Sequence, residues 1–214
     1  MKRLCVICEG ATEAEFINAC LYPHLLPCGI SIYPSILKTR PGQSGGGNVS
    51  LERLTRHIRN EYRHADFITT LVDYYGFKRR GAQSVDELEA AILESALCAL
   101  SITDSRKLLP YVQQYEFEAL LFSDIDAFHW VMEVWNQQVR GFLQAIVAAV
   151  TTPEDINDGR TTAPSKRLEA IFGKHYSKTE HGPLIAEAIG LARIRQSCPR
   201  FNQWLEKLEK MQLD

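Results

Sequence analysis

Two runs without charge constrain this chain more than any other feature: the apolar Leu4-Cys5-Val6-Ile7-Cys8, and Phe67-Ile68-Thr69-Thr70-Leu71-Val72, rich in β-formers. Each is unbroken by charge, and each stops on an acid, Glu9 and Asp73 respectively. A strand with one wet face alternates apolar and polar residues. A strand apolar throughout must be covered on both sides, as in a parallel sheet flanked by helices. The surrounding segments agree. Gly10 frees a turn after Glu9, and Thr12 is the expected N-cap of a helix over Glu13 to Leu25 that carries Glu13 and Glu15 in its first turn. Pro27-Cys28-Gly29 then precedes a second strand over residues 30 to 37. Ser50 caps a helix with Leu51, Leu54 and Ile58 on one face, another helix is expected over Val85 to Leu100, and a strand over Leu108 to Gln113 runs into Tyr115-Glu116-Phe117-Glu118. From Ile125 onward the pattern is helical, with a long apolar helix over Val131 to Val150 and a short amphipathic one over Trp204 to Met211. The expected division is 1–124 for the sheet domain and 125–214 for a helical extension packed on it.

At 214 residues and 45% hydrophobic content the chain can bury a core of its own. A net charge of −2 restricts nucleic-acid contact to a local patch. Met1-Lys2-Arg3 is followed by only five apolar residues, and no run approaches the roughly 18 that a membrane span needs, so a cytoplasmic protein without membrane contact is expected. Six cysteines without a secretory signal read as reduced thiols. Cys5, Cys8, Cys20 and Cys28 suggest zinc spacing, but residues three apart on a strand face opposite ways, so small buried hydrophobes are the better account.

Acids collected where strands end are the usual oxygen ligands of Mg²⁺ or Mn²⁺, and in parallel sheets ligands bind outside the carboxyl ends of the strands. Glu9, Asp73 and Glu116 or Glu118 would converge there. The helix after Ser50 carries Arg53, Arg56, His57, Arg59, Arg63 and His64 away from its apolar face, and Lys78-Arg79-Arg80 forms a basic turn. A solvated helix face is the commoner fate of such charges. Tyr74 and Tyr75 are placed to stack on bases, although packing explains them as well. The glycine loop at residues 42 to 47 lacks the Gly-Lys-Ser/Thr ending of a P-loop, which argues against an intrinsic ATPase.

These residues resemble the Toprim modules of topoisomerases, primases and the overcoming-lysogeny-defect nucleases, which place a Glu after the first strand and Asp-x-Asp after a later one. Glu9 and Asp73 match, and Tyr75 stands where the second Asp is expected. Over nearly its whole length the chain is similar to a bacterial family known as a domain of unknown function. That similarity runs through Cys8-Glu9-Gly10-Ala11-Thr12-Glu13, Leu71-Val72-Asp73-Tyr74-Tyr75-Gly76, Tyr115-Glu116-Phe117-Glu118-Ala119-Leu120-Leu121-Phe122, Asp155-Ile156-Asn157, Pro164-Ser165-Lys166-Arg167-Leu168 and the segment from Cys198 to Leu205.

The resemblance implies a Toprim-like α/β fold with a helical C-terminal part and a Mg²⁺- or Mn²⁺-dependent nuclease acting on DNA or RNA. Its metal ligands would be Glu9, Asp73, Glu116 and Glu118, with Glu13 as an alternative. Lys166 and Lys178 would stabilise charge on the scissile phosphate. Arg53, Arg56, Arg59, Lys78, Arg79 and Arg80, with Lys178, would face the nucleic acid. The resemblance also implies the effector half of an antiphage system partnered by an AAA or ABC-type ATPase, and self-association is compatible with it. The alternative is a non-catalytic interaction module, derived from Toprim, that partners an ATPase.

Overall fold

The computed structural model describes residues 1–37, 49–77, 81–157, 159 and 162–211. The chain falls into two compact units, Met1–Gln113 with Glu209–Asp214, and Gln114–Leu208. The sequence reading divides after residue 124, the units after Gln113.

The first unit is built on the expected parallel sheet. Strands β1 (Lys2–Cys8), β2 (Ile30–Ile36), β3 (Phe67–Asp73) and β4 (Leu108–Leu109) lie in the order β2-β1-β3-β4, and β5 (Val112–Gln113) also pairs with β3, every pairing being parallel. The two uncharged runs are the inner strands. Leu4 to Cys8 are wholly inaccessible to solvent, and Cys8 sits in register with Ile36 on one side and Leu71 on the other.

On one face Cys5 and Ile7 of β1, Ile68 and Val72 of β3, Leu108 and Val112 share a core with α3 (Leu51–Glu61) and α4 (Val85–Leu100), through Leu54, Ile58, Leu88, Ile92 and Ala96. The strand expected over Leu108 to Gln113 is two short strands. Pro110, between them, has no N–H for the ladder. Threonines on β3 restore what is lost: Thr70 Oγ1 donates to Tyr111 O at 2.7 Å and accepts from Tyr111 N at 2.9 Å, and Thr69 Oγ1 donates to Leu109 O at 2.5 Å. These polar residues are therefore buried without an energetic penalty for unmade bonds.

Ser50 caps α3, accepting from Arg53 N at 3.3 Å. Ser84 and Glu87 cap α4 reciprocally, Ser84 Oγ accepting from Glu87 N at 3.2 Å and Glu87 Oε2 from Ser84 N at 2.7 Å. The first helix departs from expectation at its start: α1 (Ala11–Phe16) is capped at Gly10, and Thr12 lies buried inside its first turn. It continues through a π turn, Ile17–Leu21, into α2 (Tyr22–Leu25). The widened turn precedes Pro23, whose ring and missing N–H cannot fit a regular α turn.

The second unit is mainly helical. Short 3₁₀ segments, Phe117–Ser123 and Ile125–Trp130, are followed by α5 (Gln137–Ala148), α6 (Pro164–Phe172), α7 (Lys178–Ile189), α8 (Leu191–Ser197) and α9 (Pro199–Glu209). No helix begins at Val131. Asn136 caps α5 by accepting from Gln138 N and Val139 N at 2.9 and 3.0 Å, so residues 131 to 135 are held as turns and the helix starts six residues late. Phe117, Phe122, Phe128 and Phe201 fill the interior, with Phe128 and Phe172 stacked at 5.6 Å. The final helix starts five residues earlier than expected, with Pro199 in its first turn. Its next two N–H groups are taken by the buried Glu154, which accepts from Arg200 N at 2.8 Å and Phe201 N at 3.0 Å. Among the described residues no helix is long and apolar enough to cross a membrane.

Cys5, Cys8, Cys20 and Cys198 are buried free thiols, and burial pushes Cys5 up to about 12 and Cys8 further. They are neutral packing groups at physiological pH.

Candidate functional site

Glu9 is placed by the end of β1, one residue past the last ladder pair, with its backbone leading into the helix that starts at Ala11. Adjacent strands bring the turn after β3 to the same end of the sheet. Gly76, the last residue of that turn, packs directly against the Glu9 carboxylate: a side chain there would run into Glu9 Oε2 and come within 2.9 Å of Val49 Cγ2. Asp73 closes β3 and is 6% exposed. The sheet therefore gathers Glu9 and the segment Asp73-Tyr74-Tyr75-Gly76 at its carboxyl end.

Glu13, also expected there, is 3% exposed and accepts from Gly10 N at 2.9 Å through Oε2, which fixes the helix start. Tyr74 and Tyr75 are half-buried, their rings 6.1 Å apart and tilted by 37°, and Tyr74 donates its hydroxyl to Gln83 O at 2.6 Å.

Glu116 and Glu118 belong to the second unit. Tyr115 has a left-handed backbone (φ 62°), uncommon for a residue with a large side chain, and it sharply turns the chain before the two acids. Glu116 Oε2 accepts from Ser165 N at 2.9 Å, at the start of α6. Glu118 is wholly buried and paired with Lys178, Nζ to Oε2 3.0 Å. Burial raises its carboxyl to about 7, against the lowering pull of Lys178 and with a further push from Glu116. Tyr176 lies in the same electrostatic environment. Its buried hydroxyl finds no hydrogen-bond partner among the described residues and is held protonated by burial and the Glu118 charge. Lys166 is turned outward to Glu169 at 2.6 Å on the exposed side of α6. Of the two lysines, Lys178 is therefore the one beside an acid named by the sequence.

Arg56 and Arg59 are exposed and Arg53 half-buried on α3. Lys78, Arg79, Arg80 and the glycine loop lie outside the described residues. Sequence reasoning missed the bonds made by the inner side of α3: Ser35 Oγ donates to Glu61 Oε1 at 3.0 Å and contacts His57 Nε2 at 2.7 Å, while Tyr33 OH donates to Glu61 Oε2 at 3.1 Å. The signal was present as the period-two spacing of Tyr33 and Ser35 on β2 and the i,i+4 spacing of His57 and Glu61 on α3.

The carboxylates at the sheet's end offer hard oxygen donors of the kind Mg²⁺ and Mn²⁺ take, and Mg²⁺ commonly uses only one or two protein carboxylates. Glu9 and Asp73 fit that requirement. Among the described residues no three His, Cys, Asp or Glu side chains form a group ready to hold a metal.

The mainly parallel sheet flanked by helices, with acids closing its two inner strands and a helical C-terminal part, is the fold class that the sequence predicts. The family described as Domain of unknown function (DUF4276) matches residues 8–209, and the chain belongs to it. Among solved structures, the C-terminal region of the Burkholderia pseudomallei OLD protein is 17% identical, with a TM-score of 0.53 and 97% of each chain covered. The C-terminal region of the Xanthomonas campestris pv. campestris OLD protein is 15% identical, with a TM-score of 0.46, covering 97% of this chain and 92% of that one. The Burkholderia likeness establishes the shared fold. No curated protein matches the chain.

Proposed function

We propose that the chain is a Mg²⁺- or Mn²⁺-dependent phosphodiesterase acting on DNA or RNA, the effector of an antiphage system with an AAA or ABC-type ATPase partner. The observation that carries the reading is the packing of Glu9 against the turn that follows Asp73, at the carboxyl end of adjacent parallel strands. That is where an α/β sheet places its ligand. Glu9 and Asp73 would hold the ion, which when bound supplies charge neutralisation at phosphate and a more acidic water. Glu13 fixes the turn that presents Glu9. In the second unit Lys178 offers a positive point charge for phosphate, and Glu116 and Glu118 are further candidate ligands.

The test is Mn²⁺ titration by calorimetry on the wild type and on Glu9→Ala/Asp73→Ala, followed by cleavage assays on labelled DNA and RNA with Mg²⁺ or Mn²⁺. Saturable binding and cleavage that are both lost in the variant support the reading. A folded wild type that binds no Mn²⁺ and cleaves nothing overturns it. The second reading, an interaction module, is favoured by Tyr75 at the position of the expected second Asp. It predicts a stable complex with an ATPase that survives loss of Glu9 and Asp73.

A further inference from the structure

The cluster missed from sequence lines a groove of about 620 Å³ between the carboxyl-terminal half of the edge strand β2 and helix α3. Its walls include Ser35, Arg53, Arg56, His57, Asn60 and Glu61. The polarity of its hydrogen bonds is fixed. Ser35 gives its hydrogen to Glu61, so Ser35 Oγ accepts from His57 Nε2–H, and Tyr33 donates to the other oxygen of Glu61. Glu61 is thereby occupied by two hydroxyls and holds His57, 3.9 Å away, in a donor tautomer. Among the described residues of the lining Glu61 is the one acid, and it is engaged at the wall, while Arg53, Arg56 and the amide of Asn60 supply donors. Such a lining suits oxygen anions, for which guanidinium offers paired N–H donors. Its position is also informative: Ile36 pairs with Cys8, the residue before Glu9, so the groove opens at the same end of the sheet as the acids.

We propose that this groove binds the phosphates of a single nucleic-acid strand and leads that strand toward Glu9 and Asp73. Arg53 and Arg56 are the phosphate contacts, and the Glu61–Ser35–His57 chain keeps the wall in shape. Arg59 is not part of its lining. The proposal rests on the phosphodiesterase reading, which supplies the reason for a strand to pass there.

The experiment is fluorescence anisotropy of the full chain with a labelled 20-nucleotide single strand, in EDTA, over a salt series. The proteins are wild type, Arg53→Ala, Arg56→Ala, the double variant and a control, Arg106→Ala. Arg106 lies ahead of β4, exposed and paired with Asp104 at 2.9 Å. Each groove variant is expected to bind roughly tenfold more weakly, with the slope of log K against log salt shallower by about 0.7 per arginine, and the control to bind as wild type. Circular dichroism melting confirms that the variants fold. Groove variants with wild-type affinity and slope overturn the groove while leaving the phosphodiesterase reading standing. A wild type that binds neither single strand nor duplex in EDTA, and cleaves neither when Mn²⁺ is supplied, overturns both. Unlabelled mononucleotide that displaces the strand at equal phosphate concentration assigns the groove to free nucleotides and overturns the strand assignment.

Discussion

Replacing Gly76 with alanine isolates the contact on which the site's geometry depends. Gly76 does not have a left-handed backbone, so the substitution carries no conformational strain and acts through its added methyl alone. That methyl would overlap Glu9 Oε2 and crowd Val49 Cγ2 at 2.9 Å. Val49 is poorly able to retreat, because its N–H donates to Gly76 O at 3.0 Å and its side chain is buried in the core. The Glu9 carboxylate must therefore yield, by about 1 Å, a displacement that in a catalytic group can cost roughly 10²-fold in rate. Overpacking typically costs about 1–3 kcal/mol, and the stiffer unfolded chain returns about 0.4–1 kcal/mol, leaving a net loss of about 1–2 kcal/mol. For a chain of this length that lowers Tm by roughly 2–8 °C.

The assay is a double-mutant cycle over Gly76→Ala and Glu9→Ala, read by thermal melting and by Mn²⁺ titration. Glu9→Ala removes the obstruction, so the alanine at position 76 should cost markedly less stability in that background. Gly76→Ala alone should weaken Mn²⁺ binding at least tenfold. Equal stability costs in the two backgrounds would refute the close approach of Gly76 to Glu9.

Other substitutions test the second unit and the departure at Tyr75. In the folded protein Glu118 holds its proton up to about 7, against an ordinary value of 4.5, so between those pH values the native state binds a proton that the unfolded chain has released. Stability therefore falls as pH rises through that window, by on the order of 3 kcal/mol, and Glu118→Gln should flatten the metal-free Tm profile across it. Glu154→Ala leaves the N–H groups of Arg200 and Phe201 without their acceptor and should cost about 3 kcal/mol, read by chemical denaturation. Tyr176→Phe removes a buried hydroxyl that has no hydrogen-bond partner among the described residues, so Tm should be unchanged or higher. Tyr75→Asp restores the acid expected from the resemblance and should tighten Mn²⁺ binding; unchanged affinity would show that the side chain does not reach the ion.

The fold is legible where one physical demand governs a segment. Leu4 to Cys8 and Phe67 to Val72 announce inner strands because burial on both faces tolerates no charge, and the Ser84 and Glu87 pair marks the start of α4 because its two bonds are local. Legibility fails where a single polar atom outweighs a pattern. Val131, Met132, Val134 and Trp135 read as helix, yet Asn136 takes two N–H groups and moves the start beyond them. Pro110 divides a strand whose composition otherwise looks continuous. Gly10 caps the first helix in place of Thr12 because Glu13 reaches back to its N–H. At the site, chain order identifies the acids at strand ends, but Lys166 and Lys178 have equal claim until tertiary packing puts Lys178 beside Glu118 and leaves Lys166 on the surface.

The acids also differ in what holds them, and this bears on how a cation would be admitted. Glu13 is used by Gly10 N–H, Glu116 by Ser165 N–H and Glu118 by Lys178, so each has a protein donor where the family resemblance would have a metal ligand. Gly76 sets a steric limit on where the Glu9 carboxylate can lie. In the second unit Glu118 is wholly buried beside Lys178, and a carboxyl that burial raises to about 7 is a poor anionic ligand at neutral pH. Lys178 itself is partly exposed, and its ammonium has the charge to meet a substrate phosphate. On the proposed reading, Glu9 and Asp73 would therefore be the residues that hold the ion in the first unit, and Lys178 the one that meets phosphate in the second.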